Sequence, residues 1–199
     1  MTPTLHITDD PTADELLSTD PLALLIGMLL DQQVPMETAF AGPAKLLDRI
    51  NTLDAQKIAD YNADELEAVF RITPSIHRYP GSMAGRTQAL AAAVVETWGG
   101  DASAIWTSPG VDGAEPDGAE ILKRLKALPG FGEQKAKIFL ALLGKQYGVK
   151  ATGWRESAGD YGLEGSFRSV ADIVDPESLT KVREFKKAAK AAAKSSTKG

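Results

Sequence analysis

A short glycine-containing segment in the second half of the chain has the composition of a phosphate-binding turn. The segment is Leu128-Pro129-Gly130-Phe131-Gly132. Pro129 ends a preceding helix, and the two glycines permit the positive φ angles of a tight turn. A tight turn that opens a helix leaves backbone N–H groups unpaired, and the helix dipole favours an anion there. The spacing predicts a phosphate site, although any tight corner between two helices can use the same glycines.

A second polar cluster, Asp31-Gln32-Gln33, follows the most apolar stretch of the sequence. Residues 22–30 are apolar on every side, as is typical of a helix at the centre of a bundle. Each glutamine amide offers both a donor and an acceptor. Two hypotheses follow: the glutamines cap a helix that meets solvent, or they lie at the mouth of a binding site.

The turn needs a helix on each side, and the hydrophobic spacing predicts both. Residues 119–128 place Ile121, Leu125 and Leu128 on one face, and residues 132–147 carry an apolar block. The same spacing, with Asn62 as an N-cap and Asp20-Pro21 opening the apolar helix, predicts further helices. These cover residues 37–50, 54–61, 63–70 and 83–98, with a short helix near residue 12. No stretch alternates with a period of two, so the sequence predicts an all-α protein.

The composition excludes several classes of site. The chain has 199 residues, 43% of them hydrophobic and 25% charged, which suits one compact domain or two small lobes. Without cysteine there is no disulfide, thiolate zinc site or cysteine-held iron–sulfur cluster, and two histidines make a histidine-rich metal site unexpected. Acidic residues interrupt any signal peptide, and the apolar run is too short for a bilayer. We expect a cytoplasmic protein without a membrane partner.

The charge is unevenly distributed. Residues 181–199 carry a net charge of +6, so the other 180 residues carry −11 of the total of −5. A basic, alanine-rich tail on an acidic body fits a nucleic-acid tether with salt-sensitive phosphate contacts. The alternative is a solvated, helix-prone terminus that aids solubility. We predict a helical domain over residues 1–180 and a basic tail over residues 181–199.

The order of these motifs resembles the helix-hairpin-helix DNA glycosylases of the HhH-GPD superfamily, over about residues 22–149. The resemblance runs through the apolar helix and the Gln turn that follows it, Asp31-Gln32-Gln33. It includes the Ala63-Asp64-Glu65-Leu66 helix start and the glycine-to-arginine motif from Gly81 to Arg86. It continues through Gly99-Gly100 and ends at the hairpin of residues 128–136. The hairpin is the most specific of these motifs.

The resemblance implies two helical lobes flanking a cleft, with the hairpin at residues 119–147. Double-stranded, damaged DNA would lie bent across the cleft with one base flipped out, because a glycosidic bond cannot be reached inside the stack. Gln33 would fill the gap, and the carbonyls of Leu128 and Gly130 would hold a sodium or potassium ion. The protein would be monomeric and nucleoid-associated. The predicted DNA contacts are Gln32, Gln33, Leu128, Gly130, Phe131, Gly132, Gln134 and Lys135.

The sequence departs from the family at its catalytic positions. Lyase members place a lysine two residues after the second hairpin glycine, where this chain has Gln134; Lys135 projects about 100° away. Schiff-base chemistry is therefore not expected. The family's aspartate follows some eighteen residues later, where this chain has Thr152. A carboxylate is needed near the sugar because glycosidic cleavage builds positive charge there. The candidate replacements are Asp31, ranked first, and Glu156, with Asp160 and Asp172 further along the chain.

Three functions remain open at this point. The first is a base-excision repair protein acting as a monofunctional DNA N-glycosylase with water as the nucleophile. The second is a catalytically inactive protein that binds lesions or DNA structures. A helix-turn-helix-like transcriptional regulator ranks last, because a recognition helix should be polar and basic along its length, whereas the second hairpin helix soon becomes apolar.

Overall fold

The protein is all-helical across the part described by the structure, a computed structural model that covers residues 4–196. No strand occurs in that range, which confirms the predicted all-α class. Two short 3₁₀ turns, Gly159–Gly162 and Val170–Asp172, accompany the α-helices. The α-helices are α1 (Pro11–Thr19), α2 (Pro21–Leu30), α3 (Met36–Phe40), α4 (Gly42–Ile50), α5 (Ala55–Ala59), α6 (Ala63–Arg71), α7 (Pro80–Trp98), α8 (Ala104–Thr107), α9 (Gly118–Lys126), α10 (Glu133–Lys145), α11 (Trp154–Ala158) and α12 (Pro176–Ser196).

Helix boundaries follow the predicted capping residues. The Asp20 carboxylate accepts hydrogen bonds from the backbone amides of Leu22 and Ala23, and Pro21 occupies the first turn of α2. The Asn62 side chain caps α6 in the same way. Helix α7 ends at its C-cap Gly99, which has a φ of +62°. These helix ends are therefore determined by local sequence.

Helix α2 lies at the centre of the hydrophobic core, and every residue from Leu22 to Leu30 is buried. Two glycines let neighbouring helices approach it closely. A Cβ at Gly27 would lie 2.7 Å from the Phe40 ring, and one at Gly42 would lie 2.5 Å from Leu30 Cδ1. Such contacts exclude any larger side chain without a shift of the helices. The apolar helix predicted from the sequence is confirmed as the core element.

The prediction of one helix over residues 37–50 is wrong, because the chain turns at Ala41 between α3 and α4. Pro43 lacks the N–H that would continue a helix and would clash with the preceding turn, so it opens α4 instead. Gly42 then passes against Leu30 of α2. The break lets α3 and α4 each lie against α2.

The helices form two groups that share one core. The helices α1 to α7 pack mainly on one another, and α8 to α12 do the same, with α10 contacting α9, α11 and both 3₁₀ turns. Trp154 of α11 lies against Gly144, where a Cβ would be only 2.3 Å from the indole. Trp154 is therefore a packing residue between α11 and α10.

The basic segment is helical and continues α12 without a break. The root of α12 is anchored by the buried side chains of Leu179 and Val182. Residues 187–195 are exposed in every case, so this half of the helix extends beyond the core. Within residues 4–196, no helix combines the length and the apolar character needed to cross a membrane.

Candidate nucleic-acid interface

The predicted hairpin is formed by α9, the turn of residues 127–132, and α10. Gly130 has a φ of +80°, and the Phe131 amide donates to the Leu128 carbonyl at 3.1 Å. Gly132 is the N-cap of α10 in an extended conformation, and no side chain caps the helix. A Cβ at Gly132 would have nothing within 4 Å. The beginning of α10 is therefore open, with unpaired first-turn amides and the positive end of the helix dipole.

The hairpin rests directly on the end of α2. A Cβ at Gly130 would lie 2.5 Å from Leu29 Cδ1, so only glycine permits this approach. The Leu128 and Phe131 side chains are buried, and the Phe131 ring meets Phe139 edge-on at 5.9 Å. A DNA contact by Leu128 or Phe131 would have to come from backbone atoms.

A monovalent cation at the Leu128 and Gly130 carbonyls stays a prediction. The Leu128 carbonyl already accepts the hydrogen bond from Phe131 that closes the turn. Among the side chains of the described range, no three His, Asp or Glu residues come close enough together to hold a metal ion. Any ion at the hairpin would therefore be held by backbone oxygens.

The Gln turn lies beside the hairpin, and its two glutamines differ in their hydrogen bonds. The Gln32 amide donates to the Leu29 carbonyl at 2.9 Å and accepts from Arg86 of α7 at 3.1 Å. Gln33 is exposed and has a φ of +59°, a conformation that is uncommon for a non-glycine residue. Its amide has no hydrogen-bond partner within residues 4–196. Gln32 is thus fixed, whereas Gln33 presents a free amide at a strained position, as functional turns often do.

His77 holds the Gln turn from below. Its ring is buried, with Nε2 at 3.2 Å from the Leu30 carbonyl and 3.1 Å from the Gln32 carbonyl. Nδ1 accepts the Tyr79 amide at 3.0 Å, so the neutral tautomer with a proton on Nε2 satisfies all three contacts. Burial lowers the pKa of His77, Lys135 lowers it further, and the two carbonyl contacts oppose this. These contacts give His77 a positioning role at the Gln turn.

Acidification should therefore loosen this turn. Because the pKa of His77 is lowered in the folded protein, the unfolded chain takes up the proton at a higher pH than the folded protein does. The stability is therefore full above about pH 6.5 and falls as the pH drops below that value. We expect the melting temperature to fall more between about pH 7.5 and about pH 5.5 in the unmodified protein than in His77→Gln. His6→Gln removes the exposed histidine and should keep the full fall. If the melting temperature falls equally in all three proteins, His77 is not the group responsible.

Lys135 joins the hairpin helix to the end of α2. Its Nζ donates to the carbonyls of Met28 at 2.6 Å, Leu29 at 3.0 Å and Asp31 at 3.4 Å. These carbonyls belong to the end of α2, where several lack helical partners. Burial lowers the pKa of Lys135 from 10.5 to about 8; Asp31 opposes this shift, and Arg86 and Lys186 add to it. Any DNA contact by Lys135 would have to use its backbone amide.

The lowered pKa gives Lys135 a signature in alkaline solution. Between pH 8 and 10.5 the unfolded chain binds the proton more tightly, so the stability of the fold rises with pH in that window. Over this pH range we expect the unfolding free energy of the unmodified protein to rise by about 2 kcal/mol more than that of Lys135→Met. This figure allows for water that reaches the ammonium. The exposed Lys57, changed to Met, should leave the gain intact. A gain that survives in Lys135→Met would mean that another group titrates.

Helix α12 also contacts this region, at the Gln turn and at the start of α3. Lys186 Nζ lies 3.6 Å from Asp31 Oδ2, and Arg183 forms an ion pair with Glu37 at the start of α3. The Asp31 and Glu37 side chains are each 12% exposed, whereas the two cations are about half exposed. The carboxylate ranked first as a catalyst is therefore partly buried and paired, next to the Gln turn.

The remaining candidate positions lie on α10, on α11 and in the turn before α11. The Gln134 amide donates to the Tyr161 hydroxyl at 2.8 Å. Thr152 is exposed, and its carbonyl accepts the Gly118 amide. The Glu156 side chain is exposed and has no hydrogen bond or ion pair with a described residue, and the Glu156 carbonyl accepts the Gly159 amide. The structure thus brings Asp31, and not Glu156, together with the predicted DNA contacts.

Two other carboxylates have structural partners. Asp172 is buried, pairs with Lys145 Nζ at 2.5 Å and accepts the backbone amides of Arg168 and Ser169. Asp160 pairs with Arg168 at 3.2 Å. Asp172 thus holds the second 3₁₀ turn onto α10.

Sequence reasoning missed the residues that hold this region together. Arg86 carried a signal, since it ends the glycine-to-arginine motif of α7. The contacts of Lys135 with α2 span at least 104 residues of sequence, and no local pattern indicates them. No protein-family model matches the sequence, and no curated protein matches it.

Proposed function

We propose that the protein binds damaged duplex DNA in base-excision repair, gripping a backbone phosphate with the hairpin and probing the stack with Gln33. The observation that carries this proposal is the direct seating of the hairpin on the end of α2, through Gly130 and Leu29. The open amides of α10 and the strained Gln33 turn are thereby held on adjoining elements. Backbone amides at a helix start suit a phosphate, and a free amide on a rigid turn suits a base edge or a gap in the stack.

The electrostatics of the region support a polyanionic ligand. Four basic side chains surround the end of α2, against the two partly buried carboxylates of Asp31 and Glu37. Arg86 and Lys135 donate to Gln32 and to the end of α2, and Arg183 and Lys186 pair with Glu37 and Asp31. A body that is acidic elsewhere would thus be attracted to DNA mainly here and along α12.

The two groups of helices, which share one core, are compatible with the lobes of an HhH-GPD protein, and we propose that specific fold. The hairpin belongs to the second group, and the Gln turn ends a helix of the first. DNA would then lie where the groups meet. Five surface cavities of about 290 to 670 Å³ are lined by residues other than Asp31, Gln32 and Gln33.

A second candidate function, hydrolysis of the glycosidic bond, is favoured by the position of Asp31. Its carboxylate is partly buried beside Gln33, where it could stabilise positive charge developing on a sugar. The ion pair with Lys186 would reduce that effect unless DNA phosphates draw the lysine away. Gln134, bonded to Tyr161, offers no amine, so strand cleavage through a Schiff base is not part of this proposal.

One panel of substrates tests both functions. Duplexes with uracil, 8-oxoguanine, alkylated bases or mismatches are incubated with the protein, and abasic sites are revealed with alkali. We expect lesion duplexes to bind more tightly than intact ones, because a damaged or mismatched base is easier to extrude. If hydrolysis occurs, Asp31→Asn should slow it at least about 100-fold while leaving duplex affinity within a few-fold. Glu156→Gln is the matched control and should leave the rate unchanged.

The outcomes separate the alternatives. Tight lesion binding without abasic sites supports a binding protein, and cleavage lost in Asp31→Asn supports the enzyme. Cleavage retained in Asp31→Asn but lost in Glu156→Gln would transfer the catalytic role to Glu156. Strand nicking without alkali would contradict the role given to Gln134. Equal affinity for intact and damaged duplexes across the panel would contradict lesion recognition.

A further inference from the structure

A stripe of basic side chains runs along α12. Arg183, Lys187, Lys190 and Lys194 are spaced by four, three and four residues, which places them on one face of the helix. The stripe extends over about 16 Å at the rise of an α-helix. No acidic residue follows Glu184 within the chain, so nothing on α12 beyond that point offsets these charges.

The free part of the stripe begins where the helix leaves the core. Arg183 pairs with Glu37, and Lys186 pairs with Asp31, whereas the described residues offer no ion-pair partner to Lys187, Lys190 or Lys194. The two ion pairs fix the direction of the helix at the Gln turn. The three unpaired lysines are therefore held on a helical arm whose root is anchored, in place of a loose tether.

The chemistry of the arm favours DNA over a membrane surface. After Phe185 its apolar residues are all alanine, so it lacks the large apolar stripe with which an amphipathic helix enters lipid. Lysines on one face, without aromatic or polar amide side chains among them, match a row of phosphates and do not read bases. The arm also starts at the turn that carries Gln33, next to the duplex in the proposed complex.

We propose that α12 is a second phosphate-binding element, which lies along the duplex to one side of the lesion and contacts phosphates through Lys187, Lys190 and Lys194. This inference rests on the proposed function. The three lysines span about 10 Å, or about three base pairs at 3.4 Å per pair. Because its contacts are to the backbone, the arm adds equally to the affinity for intact and damaged duplexes, and it sets a minimum duplex length for full affinity.

The test is a triple variant, with Lys187, Lys190 and Lys194 changed to Gln, which keeps helix propensity while removing three charges. Binding is measured by fluorescence anisotropy over a range of salt concentrations. The slope of log affinity against log salt should fall in magnitude by about 2 to 3, since each phosphate contact adds about 0.9. Extending the duplex by about three base pairs beside the lesion should strengthen binding by the unmodified protein and not by the variant.

The control removes the same charge elsewhere, by changing Lys57, Arg71 and Lys123 to Gln, and should keep the slope of the unmodified protein. An unchanged slope in the α12 variant would overturn the inference. So would an α12 variant that loses binding to anionic vesicles but keeps the DNA binding of the unmodified protein. The hairpin variant Gly132→Asp separates the two proposals. If it loses duplex binding while the α12 variant keeps its slope, only the inference fails. If the unmodified protein binds no duplex, both fail.

Discussion

We expect Gly132→Asp to be at least as stable as the unmodified protein and to bind duplex DNA about 100-fold more weakly. Gly132 is an N-cap with extended dihedral angles and open space around its Cβ position, so aspartate fits without strain. Its carboxylate would accept the first-turn amides of α10 and add a negative charge. A phosphate would lose those amides and be repelled, and charged hydrogen bonds of this kind are worth roughly 1.5–3 kcal/mol.

Two further variants separate the effect of occupying the first-turn amides of α10 from the effect of adding a negative charge. Gly132→Ala leaves the amides free and should keep the affinity within about threefold. Gly132→Asn occupies the amides without the charge and should weaken binding by about tenfold. Thermal melting and duplex anisotropy are measured for all three. If Gly132→Asp folds and binds DNA like the unmodified protein, the hairpin is not the phosphate site.

Gly130→Ala should destabilise the protein by about 2–5 kcal/mol and weaken duplex binding in proportion to the displacement of the hairpin. A left-handed backbone costs a non-glycine residue roughly 1–2 kcal/mol. The added Cβ would also lie 2.5 Å from Cδ1 of Leu29, a fully buried side chain. Overpacking of this kind typically costs about 1–3 kcal/mol. Denaturant unfolding measures the first effect and anisotropy the second.

Gly148→Ala is a matched control at the other end of α10. Gly148 has a φ of +77°, close to the +80° of Gly130, but a Cβ there would meet nothing within 4 Å. The control should lose only the backbone component, about 1 kcal/mol, and none of the DNA affinity. Equal losses in the two variants would show that Leu29 does not restrict the hairpin.

The helices of this protein were largely predictable because their signals are local. Asp20-Pro21, Asn62 and Gly99 act within a few residues of the helix ends that they determine. The hairpin and the buried α2 follow from spacing and apolar content in the same way. The break at Gly42-Pro43 was missed because the amphipathic spacing continues across it, although Pro43 is a local signal for a helix start. The contact of Gly42 with Leu30 is not visible in the sequence.

The candidate site was less predictable because its contacts are distant in sequence. The motif order placed Gln33 and Gly132 as DNA contacts, but not the support beneath them. His77 reaches carbonyls 45 and 47 residues away, and Lys186 reaches Asp31 from the C-terminal helix. A basic, alanine-rich segment indicates a helix but not its direction. Two ion pairs with α2 and α3 provide that direction.

The link that Lys135 makes between α10 and the end of α2 has a mechanical consequence. Three hydrogen bonds and the contact of Gly130 with Leu29 leave little freedom for the hairpin to shift relative to Gln33. In the proposed complex the distortion needed for a fit would then fall on the nucleic acid. Selection among duplexes would depend on how cheaply each one kinks, so flexible pyrimidine–purine steps and weakened pairs would be favoured even at positions that no side chain touches.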